Sequence, residues 1–141
     1  MSGFLLDTNV ISELVRPQPA RRVTEWMEAA DEDLLYLSVL TLGEIRKGAA
    51  LLAQGKRRTQ LETWLEVELP ERFSNRVLPI DAVVADRWGL LASEAQRRGK
   101  PLAVIDGLLA ATAIHHNLTV VSRNAADFMD AQVQVLNPWE A

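Results

Sequence analysis

Cysteine is absent from the chain. That excludes disulfides, zinc–thiolate clusters and cysteine nucleophiles. Histidine is limited to 2 residues, His115 and His116, which leaves little for a site built on imidazole ligands. Long apolar runs are missing too, none approaching the roughly 20 residues of a membrane span. The N-terminus lacks the basic start and extended apolar stretch of a signal peptide, so a cytoplasmic location with no membrane partner is expected. Positive charge is outweighed: 15 Lys and Arg stand against 19 Asp and Glu, a net charge of −4. This argues against a protein that coats nucleic acid by bulk electrostatics. It does not exclude a nucleic-acid enzyme, because carboxylates in a metal site count as negative in the sum and local basic patches still meet phosphates.

What is present fits one ordinary globular domain over residues 1–141, with 48% hydrophobic and 24% charged residues and no linker, repeat or low-complexity segment. A chain of this size buries roughly two-thirds of the surface it exposes when unfolded.

Patterning predicts strands and helices in alternation. Residues 3–6 (GFLL) read as a short buried strand and 8–16 as a helix ended by Pro17. Residues 19–30 have helical spacing, 34–37 (LLYL) read as a strand, and a helix runs from Ser38 to about Ala53. A further helix covers 56–69. Residues 77–80 (VLPI) form a weak strand that Pro79 confines to an edge or strand end. A helix over 82–98 stops at Gly99, and another spans 104–116. Residues 118–121 (LTVV) are a strand, followed by a short helix near 125–130 and a last strand near 133–136. This alternation predicts an α/β fold, with a mostly parallel sheet covered by helices on both faces.

Four carboxylates invite attention, and each has an ordinary structural explanation. Asp7 ends a strand and starts a helix, as an N-cap does. Glu44 lies three residues after Thr41, as in a capping box. Asp106 opens an apolar helix. Asp127 follows Asn124, which could cap the short helix. Their positions change the weight of the evidence. In a parallel sheet all strand carboxyl ends share one edge. Asp7 leaves the first strand there, Glu44 sits on the helix leaving the second, and Asp127 follows the strand at 118–121. Asp106 begins the helix that runs back to that strand. Open α/β sheets bind ligands at this edge, where strand order reverses.

Converging acids repel: two carboxylates about 4 Å apart at an effective dielectric near 20 cost about 4 kcal/mol. A hard divalent cation offsets that cost, and oxygen-only ligands suit Mg²⁺ or Mn²⁺. Such ions activate water and stabilise charge on phosphoryl oxygens.

The stretches LLDTNVISEL, LSVLTLGEIRKGA, PLAVIDGLLAATAIHHNLTVVSRNAADF and VLNPW resemble the PIN-domain ribonucleases, and more narrowly the VapC toxins of the FitB-like branch, over nearly the whole chain. The resemblance implies strand order 3-2-1-4-5, Mg²⁺- or Mn²⁺-dependent hydrolysis of RNA, and a cognate VapB-like antitoxin through which operator DNA is bound. It also implies a homodimer or dimer of dimers, with transfer RNA among the candidate substrates. Asp7, Glu44, Asp106 and Asp127 match the family's four acids in order. Asp7 and Asp106 are the implied metal ligands, with Glu44 and Asp127 binding directly or through water. Ser122 stands where the family often has threonine, its hydroxyl able to hydrogen-bond a ligating carboxylate. Asn9 and Asn124 are placed to orient the acids.

Arg46, Lys47 and Arg123 are candidates for phosphate contact. The basic runs at 56–58 and 97–100 read as solvated helix ends. The tryptophans at 26, 64, 88 and 139 are expected in the core or an interface rather than stacked on bases. Asp81 serves as a control, since it follows a strand-like stretch but is expected only to cap a helix. A homodimer is also suggested by the many large apolar residues at 19–30 and 56–69. Two other classes compete. A Mg²⁺-dependent phosphoacceptor domain would want an acidic pair after the first strand and a lysine after a late one, and a haloacid-dehalogenase-type phosphatase would want D-x-D. The chain offers Asp-Thr-Asn at 7–9 and Ser-Arg-Asn at 122–124. A non-catalytic PIN-like binding module is disfavoured by the presence of all four acids.

Overall fold

The computed structural model describes residues 2–140. Five parallel strands, β1 (Phe4–Leu6), β2 (Leu35–Ser38), β3 (Val77–Leu78), β4 (Thr119–Val121) and β5 (Val135–Leu136), form one sheet ordered β3-β2-β1-β4-β5. The central strand aligns Leu5 with Tyr36 on one side and with Val120 on the other. Parallel neighbours need crossovers, so helices cover both faces. They are α1 (Thr8–Glu13), α2 (Arg21–Ala29), α3 (Val39–Leu51), α4 (Lys56–Thr63), α5 (Leu69–Arg72), α6 (Ala82–Arg97) and α7 (Val104–His115), with a 3-10 segment at Ala125–Ala131.

The two-residue period of the strands divides the core. Leu6, Leu35, Leu37 and Val121 join Val10, Ile11, Val23, Leu65 and Phe73 on one face. Leu5 and Val120 join Val84, Leu91, Leu109 and Phe128 on the other. A helix as short as α1 has no stability of its own. The complete burial of Val10 and Ile11, about 1.5–3 kcal/mol each, holds it against the sheet.

Element ends differ from expectation for local reasons. The regular part of α1 stops at Glu13 rather than near residue 16, and the chain continues in tighter turns. Pro17 restricts the residue before it, and the Glu13 carboxylate accepts from Ala20 N–H at 2.8 Å, folding the chain back into α2. Between α4 and α5 the backbone widens into a π turn over Trp64–Glu68. Pro70 lacks an N–H and its ring crowds the preceding turn, so the helix reaches Arg72 only by loosening there. β3 is two residues long because Pro79 follows it, and the Arg76 guanidinium anchors this edge by donating to the carbonyls of Leu35 and Arg72, at 2.6 Å each. At the end of α6, Gly99 adopts φ 72°, and its N–H and that of Lys100 close onto Gln96 and Ala95, as a left-handed C-terminal stop requires.

Most of the apolar residues that suggested a homodimer are absorbed by the chain itself, Val67 alone among the large ones standing exposed. Val23, Met27, Leu65 and Leu69 are buried, and Trp26 and Trp64 pack against the same core. Trp139 also packs there and Trp88 on the opposite face, so all four tryptophans have a packing role.

Candidate functional site

Asp7 directly follows β1. Its N–H donates to Val121 O at 2.9 Å, which extends the β1–β4 ladder by one residue and draws the start of α1 against Ser122. Asp7 is buried, 7% exposed. Its Oδ1 accepts from Thr8 N–H at 2.7 Å, and its Oδ2 accepts from Ser122 Oγ at 2.8 Å and Asn9 Nδ2 at 3.4 Å. Asp7 is therefore an N-cap and also the buried centre of a polar cluster. Burial holds its carboxyl above the usual range despite these bonds, with the charges of Glu44 and Asp127 adding to the rise.

Glu44 reaches the same edge from α3. The capping box expected of Thr41 and Glu44 does not form. Ser38 caps α3 instead, its Oγ accepting from Leu40 N–H at 3.0 Å. Thr41 thus lies inside the helix, and its hydroxyl is paired with Thr8 Oγ1 at 3.0 Å. Glu44 Oε1 accepts from Thr8 Oγ1 at 2.5 Å.

Asp106 stands in the first turn of α7, partly exposed. Burial, then the charges of Asp7, Asp127 and Glu44, push its carboxyl up to about 6. Gly107, beside it, lets the helices approach. A Cβ there would lie 2.9 Å from the Trp88 ring of α6. Asp127 is exposed on the 3-10 segment. Asn124 does not cap that segment with its side chain. Its carbonyl accepts from Asp127 N–H at 2.9 Å, while its N–H donates to Ser122 Oγ at 3.0 Å.

The charges of Glu44 and Asp127 thus bear on both Asp7 and Asp106, and that of Asp7 on Asp106, from four separate parts of the chain. Two clefts flank them. Thr8, Asn9, Glu44, Trp64, Arg123 and Trp139 line one, and Leu102, Asp106 and Asp127 line the other. Among the described residues no three acidic or histidine side chains close on a single point. The donor set still suits a hard cation. All its ligands are oxygens, and two carboxyl groups are held up by burial and by like charge, which a cation would reverse. An ion that keeps several waters needs only one or two direct carboxylates.

The other expected residues divide. Ser122 and Asn9 contact Asp7 directly, and Asn9 Oδ1 also accepts from Arg123 N–H at 3.2 Å. The Arg123 guanidinium lies 5.3 Å from the Trp139 ring, beside the first cleft. Arg46 is held elsewhere, 2.7 Å from Glu66 and 3.7 Å from Glu62. Lys47 is exposed on α3. In the basic run at 56–58, Arg57 donates to Val15 O and Arg58 to Leu52 O, at 3.2 Å each, so these side chains tie loops rather than trail in solvent. Asp81 only caps α6, accepting from Val84 N–H at 2.9 Å. Its charge acts on His116, at the far end of α7 from Asp106. His115 and His116 pack edge to face, with centroids 4.7 Å apart, away from the acids. Thr8 and Thr41 are the members of the site that sequence reasoning passed over. The hydroxyl beside the strand-end acid was a signal, but nothing local told that α3 lies opposite.

Residues 4–132 match the PIN domain family. Toxin FitB of Neisseria gonorrhoeae is 45% identical over 136 residues, which cover 96% of this chain and 98% of that protein. VapC ribonuclease Y4jK of Sinorhizobium fredii is 40% identical over 137 residues, 97% of this chain and 98% of that one. The crystal structure of FitAcB from Neisseria gonorrhoeae superposes with a TM-score of 0.93 at 44% identity, covering 98% and 99% of the two chains. FitAB bound to a DNA fragment superposes with a TM-score of 0.91 at 43% identity, covering 96% and 95%.

Proposed function

The chain belongs to the PIN-domain family, and from that premise we propose that it is a divalent-metal-dependent endoribonuclease, the toxin of a toxin–antitoxin pair. The observation that carries this reading is the electrostatic convergence of four carboxylates on one sheet edge, where burial and like charge hold Asp7 and Asp106 above the ordinary range. The whole chain is read as one PIN domain, acting in the cytoplasm. No helix among the described residues is long and apolar enough to cross a membrane.

In this reading Asp7 and Asp106 hold Mg²⁺ or Mn²⁺, and Glu44 and Asp127 act directly or through water. When bound, the ion lowers the pKa of water and offsets charge on the phosphoryl oxygens. Ser122 and Asn9 fix the Asp7 carboxylate so that it meets its ligand without reorganising. Arg123, braced on Trp139, supplies a cation for a substrate phosphate beside Glu44. Hydrolysis of the RNA phosphodiester leaves a 5′-phosphate and a 3′-hydroxyl.

The antitoxin belongs to the same proposal. The names FitAB and FitAcB belong to the relatives' structures. For this chain, a basic antitoxin side chain pairing with the acids would exclude metal and substrate, and operator DNA would be met only through the antitoxin. A homodimer is part of the reading as well, and a monomer in sedimentation at micromolar concentration removes it. The central test is RNA cleavage by the purified chain with Mg²⁺ or Mn²⁺ and with EDTA. The expected outcome is cleavage that EDTA abolishes. Products ending in 2′,3′-cyclic phosphate would mean attack by the RNA's own hydroxyl and would overturn the hydrolytic mechanism.

A further inference from the structure

Thr8 sits between two partners from α3. Its Oγ1 lies 2.5 Å from Glu44 Oε1 and 3.0 Å from Thr41 Oγ1. A threonine hydroxyl carries one proton, so it cannot donate to both. The shorter contact is with the carboxylate and has the length of a charge-assisted O–H···O⁻ bond. Thr8 therefore donates to Glu44 and accepts from Thr41. Thr41 is fully buried, and Thr8 is the partner of its hydroxyl. The direction of the whole chain, Thr41 to Thr8 to Glu44, is thus set by the carboxylate, which can only accept. Successive bonds in one direction polarise each other.

We propose that Thr8 is a positioning residue that aims Glu44 into the acidic site, with Thr41 as its buried support. This rests on the reading of Glu44 as a member of the metal-dependent site. A glutamate on a helix surface has three side-chain torsions and, unpartnered, would sample several rotamers. Here one oxygen is tied to Thr8, and among the described residues no hydrogen bond reaches Oε2. That oxygen is left for the cleft that Glu44 lines. A contact serving only to join α1 to α3 would have no need of a half-exposed carboxylate with one oxygen unused. The same strand-end turn thus does two things: Asp7 supplies an acid, and the next residue orients a second acid 36 positions further along the chain.

The test compares Thr8→Val, Thr8→Ala, Thr8→Ser, Thr41→Val and Glu44→Gln. The readouts are kcat and KM for RNA, Mn²⁺ affinity without RNA, and melting temperature. Thr8→Val keeps the shape and loses the hydroxyl. Its kcat and Mn²⁺ affinity are expected to fall roughly 10- to 100-fold, the scale for removing a partner of a metal-binding side chain. KM should stay close to wild type, because the hydroxyl is used on Glu44 and not on substrate. Thr8→Ala, which asks nothing of valine's extra methyl, should behave alike, and Thr8→Ser should restore both quantities. Thr41→Val should lose less than Thr8→Val, since Thr8 keeps its own proton for Glu44. Loss in Glu44→Gln with wild-type kcat and Mn²⁺ affinity in Thr8→Val and Thr8→Ala would overturn the positioning role while sparing the site. Wild-type values in Glu44→Gln would place the failure in the reading of Glu44, and the positioning role would fall with it.

Discussion

Ser122 Oγ donates to Asp7 Oδ2 at 2.8 Å, joining the ends of two adjacent strands across 115 residues of chain. Both residues are buried. The Ser122 hydroxyl also accepts from Asn124 N–H, so its proton is directed at Asp7. Ser122→Ala should lower Mn²⁺ affinity and cleavage roughly 10- to 100-fold, and Ser122→Thr should retain both. Equal activity in the alanine variant, measured with a folded protein, would remove Ser122 from the site.

Asp7→Asn separates the cap from the ligand. Asparagine caps helices about as well as aspartate, so the variant should fold. Cleavage should nevertheless drop by at least about 10²-fold, the scale of losing one group that stabilises transition-state charge. The metal-free variant should match or exceed wild type in melting temperature, because one of the converging charges is gone. Asp81→Asn should change neither property. Near-wild-type cleavage by Asp7→Asn, with normal metal dependence, would falsify the ligand assignment.

Asp106 gives the metal-free protein a pH dependence of defined sign. Its carboxyl is raised from 3.8 to about 6 by burial and by the charges of Asp7, Asp127 and Glu44. Between those two values the folded chain binds more protons than the unfolded chain, so stability grows as pH falls through the window and is lost as pH rises past about 6. In EDTA the melting temperature should be higher near pH 5 than near pH 7, and Asp106→Asn should weaken that difference. Mn²⁺ affinity should move the other way, falling with pH as protons compete for the site. A wild-type profile in EDTA no steeper than that of the variant would contradict this account.

Arg46 and Arg123, alike by sequence, should part company. Arg46 is engaged by Glu66 and Glu62, exposed ion pairs worth about 0–1 kcal/mol. Arg46→Ala should shift stability slightly and leave RNA cleavage near wild type. Arg123 lies over Trp139 at the cleft that Glu44 lines. Arg123→Ala should raise KM more than it lowers kcat and reduce the salt dependence of RNA binding by about one phosphate contact. A larger KM effect at Arg46 would reverse the assignment.

The sequence alone determined the elements and the side of the sheet on which chemistry would gather. Short β-rich runs alternated with helical periods, and acids stood at strand ends and helix starts. Those signals are local: a two-residue or 3.6-residue period, a proline after a strand, a glycine after a helix. Gly99 and Pro79 act as their neighbours foretold, because glycine's freedom at positive φ and proline's fixed φ and missing N–H belong to the residue itself. Asp81 caps its helix on equally local grounds, its short carboxylate reaching Val84 N–H. The tertiary structure decided which of several local options each polar side chain took. Thr41 and Glu44 spell a capping box, yet Ser38 stands three residues earlier, where β2 ends, and takes the cap. Thr41 and Glu44 were thereby left for Thr8. Arg46 looked as free for phosphate as Arg123 until the packing of α4 and the π turn against α3 set Glu62 and Glu66 beside it. Most of the large apolar residues of α2 and of the π turn and α5 looked surplus until strand order showed the face they cover. Hydrogen bonds across 33 to 115 residues exist only once register places two strand ends side by side, and the pairing of Ser122 with Asp7 depends on β1 and β4 being neighbours rather than on any property of either segment alone.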